Sequence, residues 1–74
     1  MASPFVWVYD DPVRGLVLLR GYLARDLLQA AGVADLARWS MAGRGHVLAR
    51  AHLPDVLAQA DHDGIPVRIK EVTG

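Results

Sequence analysis

Along the chain the spacing of apolar residues switches between a period of two and a period near 3.6, and the switches divide it into elements. Residues 5–10 are a run of β-formers in which Phe5, Trp7 and Tyr9 point one way and Val6 and Val8 the other. Asp10, Asp11 and Pro12 break that run, and two continuations fit residues 12–21. In one, residues 11–15 form a hairpin loop and Leu16 to Arg20 a second strand. In the other, Asp11 caps a helix with Pro12 at its first position, and the helix runs to Ala31 along Val13, Leu16, Val17, Leu23 and Leu27. Gly15 and Gly21 would each cost that long helix about 1 kcal/mol relative to alanine. A Leu-Val-Leu-Leu run bracketed by glycines suits a strand, which is therefore preferred. Under either reading residues 22–31 are helical, with Leu23, Leu27 and Ala30 on one side, Leu28 beside them, and a Schellman stop at Gly32 and Val33.

Two short strands, at about 36–40 and 45–50, then meet at Ala42-Gly43-Arg44-Gly45, where the glycines are expected to supply the positive φ of a tight reversal. Trp39, alternating with Arg38 and Ser40, is expected to anchor the core. A second helix follows: Pro54 stands in its first turn, Asp55 at the positive end of its dipole, and Leu53, Val56, Leu57 and Ala60 form its apolar stripe. Gly64 ends it, Ile65 closes the Schellman contact, and Pro66 prevents continuation. In the last strand, residues 67–72, Val67 and Ile69 face one side and Arg68 and Lys70 the other. The order is ββαββαβ, or βαββαβ with the long helix. Either is a single α+β domain with two helices packed on one face of a mainly antiparallel four- or five-stranded sheet. Placing Val6, Val8, Trp39, Val47, Ala49, Val67 and Ile69 under the helices leaves Phe5, Trp7, Tyr9, Arg20, Arg38, His46, Leu48, Arg50, Arg68 and Lys70 on an open face.

Composition narrows the classes of function. A domain of 74 residues removes only about 60% of its unfolded surface from water, so marginal stability is expected. With no cysteine there is no disulfide or thiolate chemistry, which fits a cytoplasmic protein better than a secreted scaffold. Neither a signal peptide nor a membrane span is expected from the Met-Ala-Ser-Pro start and the short apolar runs. The formal net charge of zero argues against a polybasic nucleic-acid binder. Its distribution is uneven, however: between Arg14 and Arg50 six arginines face only Asp26 and Asp35, a local +4, and the flanks carry the balancing −4. Seven of the eight basic residues are arginine, a bias that a GC-rich coding sequence explains as readily as a phosphate site.

An open sheet face with three aromatics and several arginines has the parts for stacking unpaired bases and holding their phosphates. It equally suits a second copy of the chain, because contiguous exposed aromatic surface on a small domain marks an interface. The partners expected are therefore single-stranded nucleic acid or a homodimer mate. The residues expected to carry the contact are Trp7, Tyr9, Arg38, Arg44, Arg50 and Arg68, with Arg44 touching a phosphate from the turn tip. Gly43-Arg44-Gly45 joins two strands and not a strand and a helix, so it does not read as a nucleotide loop. No cofactor, metal or small-molecule substrate is expected. His52 and His62 lie ten residues apart, roughly 15 Å along a helix, too far for one ion. Asp61-His62-Asp63 reads as a polar last helical turn. Ser3, Ser40 and Thr73 are the only hydroxyl residues besides tyrosine, and no acid, base and nucleophile set converges, so a binding module and not an enzyme is expected.

A helix ending at Gly32, a strand with Arg38 and Trp39, the Gly43 to Val47 turn and the Leu53 to Ala60 helix together resemble the small module beside the motor in HARP-type annealing helicases. The resemblance covers about half the chain and implies engagement of DNA. It departs from that family's pattern in the returning strand, where a second aromatic is replaced by His46 and Val47. No functional residue is carried over from it.

Overall fold

The computed structural model describes residues 5–72; the Met-Ala-Ser-Pro start, Ser3 and Thr73 lie outside the described residues. Five strands and two helices follow in the order ββαββαβ: β1 (Val6–Asp11), β2 (Leu16–Arg20), α1 (Ala24–Ala30), β3 (Arg38–Ser40), β4 (Gly45–Ala49), α2 (Leu53–Asp63) and β5 (Val67–Glu71). The sheet order is β3-β4-β2-β1-β5, antiparallel throughout except for the β1–β5 pair. Both helices lie on one side of it. Val6, Val8, Val17, Leu19 and Leu48 point up from the sheet, and Ala24, Leu27, Leu28, Leu53, Val56 and Ala60 point down from the helices.

The strand reading of residues 16–20 is the correct one. Asp11 and Pro12 begin a turn and not a helix: Gly15 N–H donates to the Asp11 carbonyl at 3.0 Å, and Arg14 N–H donates to Asp11 Oδ1 at 3.2 Å. Asp-Pro serves both devices, because the first two positions of a type I turn favour the residues that cap a helix. Gly15, at φ 69°, then returns the chain. Helix α1 starts two residues later than Tyr22, since Gly21 at φ 131° holds the backbone out of the helix. A Cβ there would stand 2.7 Å from the Phe5 carbonyl oxygen. The delayed start moves the buried stripe to Ala24, Leu27 and Leu28, leaving Ala30 exposed. Both Schellman stops form, with Val33 N–H to Leu28 O at 3.1 Å and Ile65 N–H to Ala60 O at 2.9 Å.

The hairpin departs from expectation in register. A short helical turn, Ala34–Leu36, occupies the start of the expected strand, and β3 keeps only three residues. Positive φ falls on Arg44 (52°) and not on the glycines, which are needed for space: a Cβ on Gly45 would meet the Leu19 carbonyl oxygen at 2.5 Å. Pairing Ser40 with Gly45 puts Trp39 opposite His46 and Arg38 opposite Val47. The one-residue difference exchanges the two faces of β4. Val47 and Ala49 thus lie on the open side, and His46 and Leu48 on the helix side, where Leu48 is buried.

Trp39 keeps the expected side but is not a core anchor. At the sheet edge, where α1 covers it only in part, it is 57% exposed, with its ring edge-on to His46 (centroids 5.1 Å) and its Nε1 donating to Met41 Sδ at 3.3 Å. Burying a tryptophan would make its truncation cost about 3–5 kcal/mol. For this edge position the expected loss in Trp39→Ala is below about 1 kcal/mol, to be read from urea denaturation midpoints.

Candidate functional site

The side of the sheet away from the helices carries three rows of side chains, set by the pairing registers. The middle row runs Lys70, Tyr9, Leu18, Val47, Arg38; one outer row begins Arg68, Trp7, Arg20; the other contains Asp11, Leu16 and Ala49. Trp7 and Tyr9 therefore do face away from the helices, on β1, with Trp7 38% exposed and Tyr9 half-buried. Their rings are 6.4 Å apart and inclined by 26°. Cations flank them: the Arg20 guanidinium stands 5.8 Å from the Tyr9 ring centre, and Arg68 lies 4.3 Å over the Phe5 ring.

Beside the aromatic pair the surface is concave. A depression of about 600 Å³ has Leu16, Leu18 and Val47 as its aliphatic floor, with Tyr9 as one wall. Arg20 and Arg44 stand among its lining residues, as do Asp11 and Arg14. The β3–β4 loop forms the far wall: Ser40 Oγ accepts from Gly43 N–H at 3.0 Å, and Gly43 packs so close to Leu18 that a Cβ on it would come within 3.0 Å of Leu18 Cδ2. Arg14 is tethered to Asp11, Nε to Oδ2 at 3.8 Å.

Of the six residues expected to form the contact, five share this side of the sheet: Trp7, Tyr9, Arg38, Arg44 and Arg68. Arg50 does not. The chain leaves β4 at Ala49, and Arg50 opens a single helical turn (Arg50–His52), from which its guanidinium closes on Asp10, Nε to Oδ1 at 2.7 Å and Nη2 to Oδ2 at 3.1 Å. Asp10 is paired with Val17, so it belongs to the helix side. The hydrogen bond to Asp10 and that carboxylate's charge raise the Arg50 pKa above the ordinary arginine value, and the group is committed to an internal partner. Leu16, Leu18, Val47 and Arg14 were not among the expected contact residues. Strand alternation read from the sequence puts Val47 on the other face, and the concavity depends on two loops converging.

Sorted by face, the charges separate. Arg14, Arg20, Arg38, Arg44, Arg68 and Lys70 share the open side with a single acid, Asp11, giving +5. The remaining surface holds Asp10, Asp26, Asp35, Asp55, Asp61, Asp63 and Glu71 against Arg25 and Arg50, giving −5. A neutral chain is thus strongly dipolar.

A smaller cleft of about 310 Å³ lies on the other side, between α1 and the sheet edge, where Trp39 and His46 face Arg25, Leu28 and Gln29. Compared with protein families, with curated proteins and with solved structures, the chain matches none.

Proposed function

We propose that the protein is a small non-enzymatic binding module whose open sheet face takes single-stranded nucleic acid. The observation that carries this reading is the segregation of charge, +5 on the face that also presents Trp7 and Tyr9. Arginine and lysine contacts to phosphate supply affinity, and exposed rings supply a sequence-tolerant platform for unstacked bases. A duplex would offer the rings no base face. The DNA engagement implied by the annealing-helicase resemblance belongs to the same proposal.

The homodimer is the second reading, supported by the aliphatic floor of Leu16, Leu18 and Val47. Two copies joined face to face by a two-fold axis would set +5 against +5, and like-charge juxtaposition costs several kcal/mol. The charge pattern therefore favours an anionic partner over a second copy. Titration of a labelled single-stranded oligonucleotide followed by anisotropy decides between them. With roughly three to five phosphate contacts, affinity should fall about 20- to 130-fold between about 50 and 200 mM salt. Absence of binding at low salt, with a light-scattering mass that doubles on concentration, would favour the dimer.

A further inference from the structure

The depression on the open face differs from a flat stacking platform in holding one acid among its cations. Asp11 stands at one end of β1 opposite Leu16, and Arg20 pairs with Trp7 at the other end. Four residues of strand separate these rows, roughly 13 Å of backbone. Between them lie Tyr9 and Leu18, one ring and one aliphatic surface. The volume, about 600 Å³, falls in the range of small-ligand sites. Arg20 and Arg44 at one end, an apolar bed in the middle and the Asp11–Arg14 pair at the other end make an asymmetric receptor.

We propose that this depression is a subsite for one unstacked nucleotide, its phosphate held by Arg20 and Arg44, its base laid on Tyr9 and Leu18, and its exocyclic amine donating to the Asp11 carboxylate. The proposal rests on the nucleic-acid reading above and adds base selectivity to it. Asp11 is suited to the task. Its side chain is 18% exposed, and its partners are the Arg14 N–H on Oδ1 and the more distant Arg14 Nε at 3.8 Å on Oδ2. A carboxylate has about four lone-pair sites, so capacity remains for an amine. An ionised carboxylate only accepts: it attracts the amino group of cytosine and repels the carbonyl oxygen that thymine carries at the same ring position. Two pyrimidines are thereby distinguished by the group each carries at that ring position, apart from the 5-methyl group that only thymine has.

The test compares oligodeoxycytidine with oligodeoxythymidine of equal length by competition anisotropy, on the intact chain and on Asp11→Asn. Cytidine is expected to bind roughly 2- to 10-fold more tightly, the range of one partly exposed hydrogen bond, and the difference should vanish in the variant. Asparagine keeps an oxygen for the Arg14 N–H, so the turn is retained, and a thermal melt checks this. Mapping deoxycytidine and thymidine monophosphates onto the amide spectrum of the unsubstituted protein provides a readout free of any folding effect. Larger shifts at Asp11 and Leu16 with the cytidine nucleotide are expected. Equal binding of both oligonucleotides, unchanged by Asp11→Asn, overturns the subsite and leaves the nucleic-acid reading standing. Failure of both oligonucleotides to bind at low salt overturns that reading as well.

Discussion

Alanine in place of Leu27 is expected to lower stability by about 2–5 kcal/mol. The side chain is completely buried at the centre of α1, among the sheet residues Val8 and Leu19 and the α2 residue Val56 in one core cluster. Truncation leaves a cavity that a well-ordered sheet cannot collapse to fill. A domain of 74 residues has a total stability of roughly 4–11 kcal/mol, so the loss is a large fraction of the whole. Each kcal/mol shifts the midpoint by about 4–8 °C in a domain of this size, which puts the expected fall at about 10–40 °C. Thermal unfolding followed by circular dichroism measures it. A fall of only a few degrees would mean that the two layers pack loosely. The contrast with Trp39→Ala is informative, because the larger side chain is expected to matter less: more than half of its surface is already in water in the folded state.

Reversing Arg20 and Arg44 together to glutamate is expected to reduce oligonucleotide affinity by roughly 100-fold or more at low salt. The open face falls from +5 to +1, and two of the cations that line the depression become repulsive. Both side chains are exposed, so the effect on stability should stay within about 1 kcal/mol, and an unchanged melt separates lost contact from lost fold. Arg25 reversed alone, set against Arg20 or Arg44 reversed alone, provides the comparison, since it belongs to the opposite charge group. Equal losses from these single reversals would show that net charge, and not the face, governs binding.

Much of the fold was legible because its signals are local. The stops at Gly32-Val33 and Gly64-Ile65 depend on hydrogen bonds reaching back only a turn or so, and the residues that make them are adjacent in sequence. The alternation of Val6, Trp7, Val8 and Tyr9 is equally local, and it placed the two rings on the correct side. Register was not local. Whether Trp39 meets His46 or Val47 depends on a four-residue loop in which Arg44 adopts positive φ and the glycines provide room, a division of labour that glycine spacing alone does not reveal. Side-chain size points to a pocket for Trp39, whereas coverage depends on how far the helix layer reaches across the sheet. Arg50 finds Asp10 across forty residues of sequence, and neither residue signals the other. The charge dipole became visible only once every ionisable side chain had a face.

Chemical-shift mapping of an isotope-labelled sample with a short single-stranded oligonucleotide, at low salt, tests the assignment of the open face most directly. Perturbed amides are expected at Trp7, Tyr9, Leu18, Arg20, Arg44 and Arg68, with Gln29, Gln59 and the rest of the outer helix layer unmoved. Perturbations centred on Trp39, His46 and Arg25, or a spectrum that does not change at all, would contradict it.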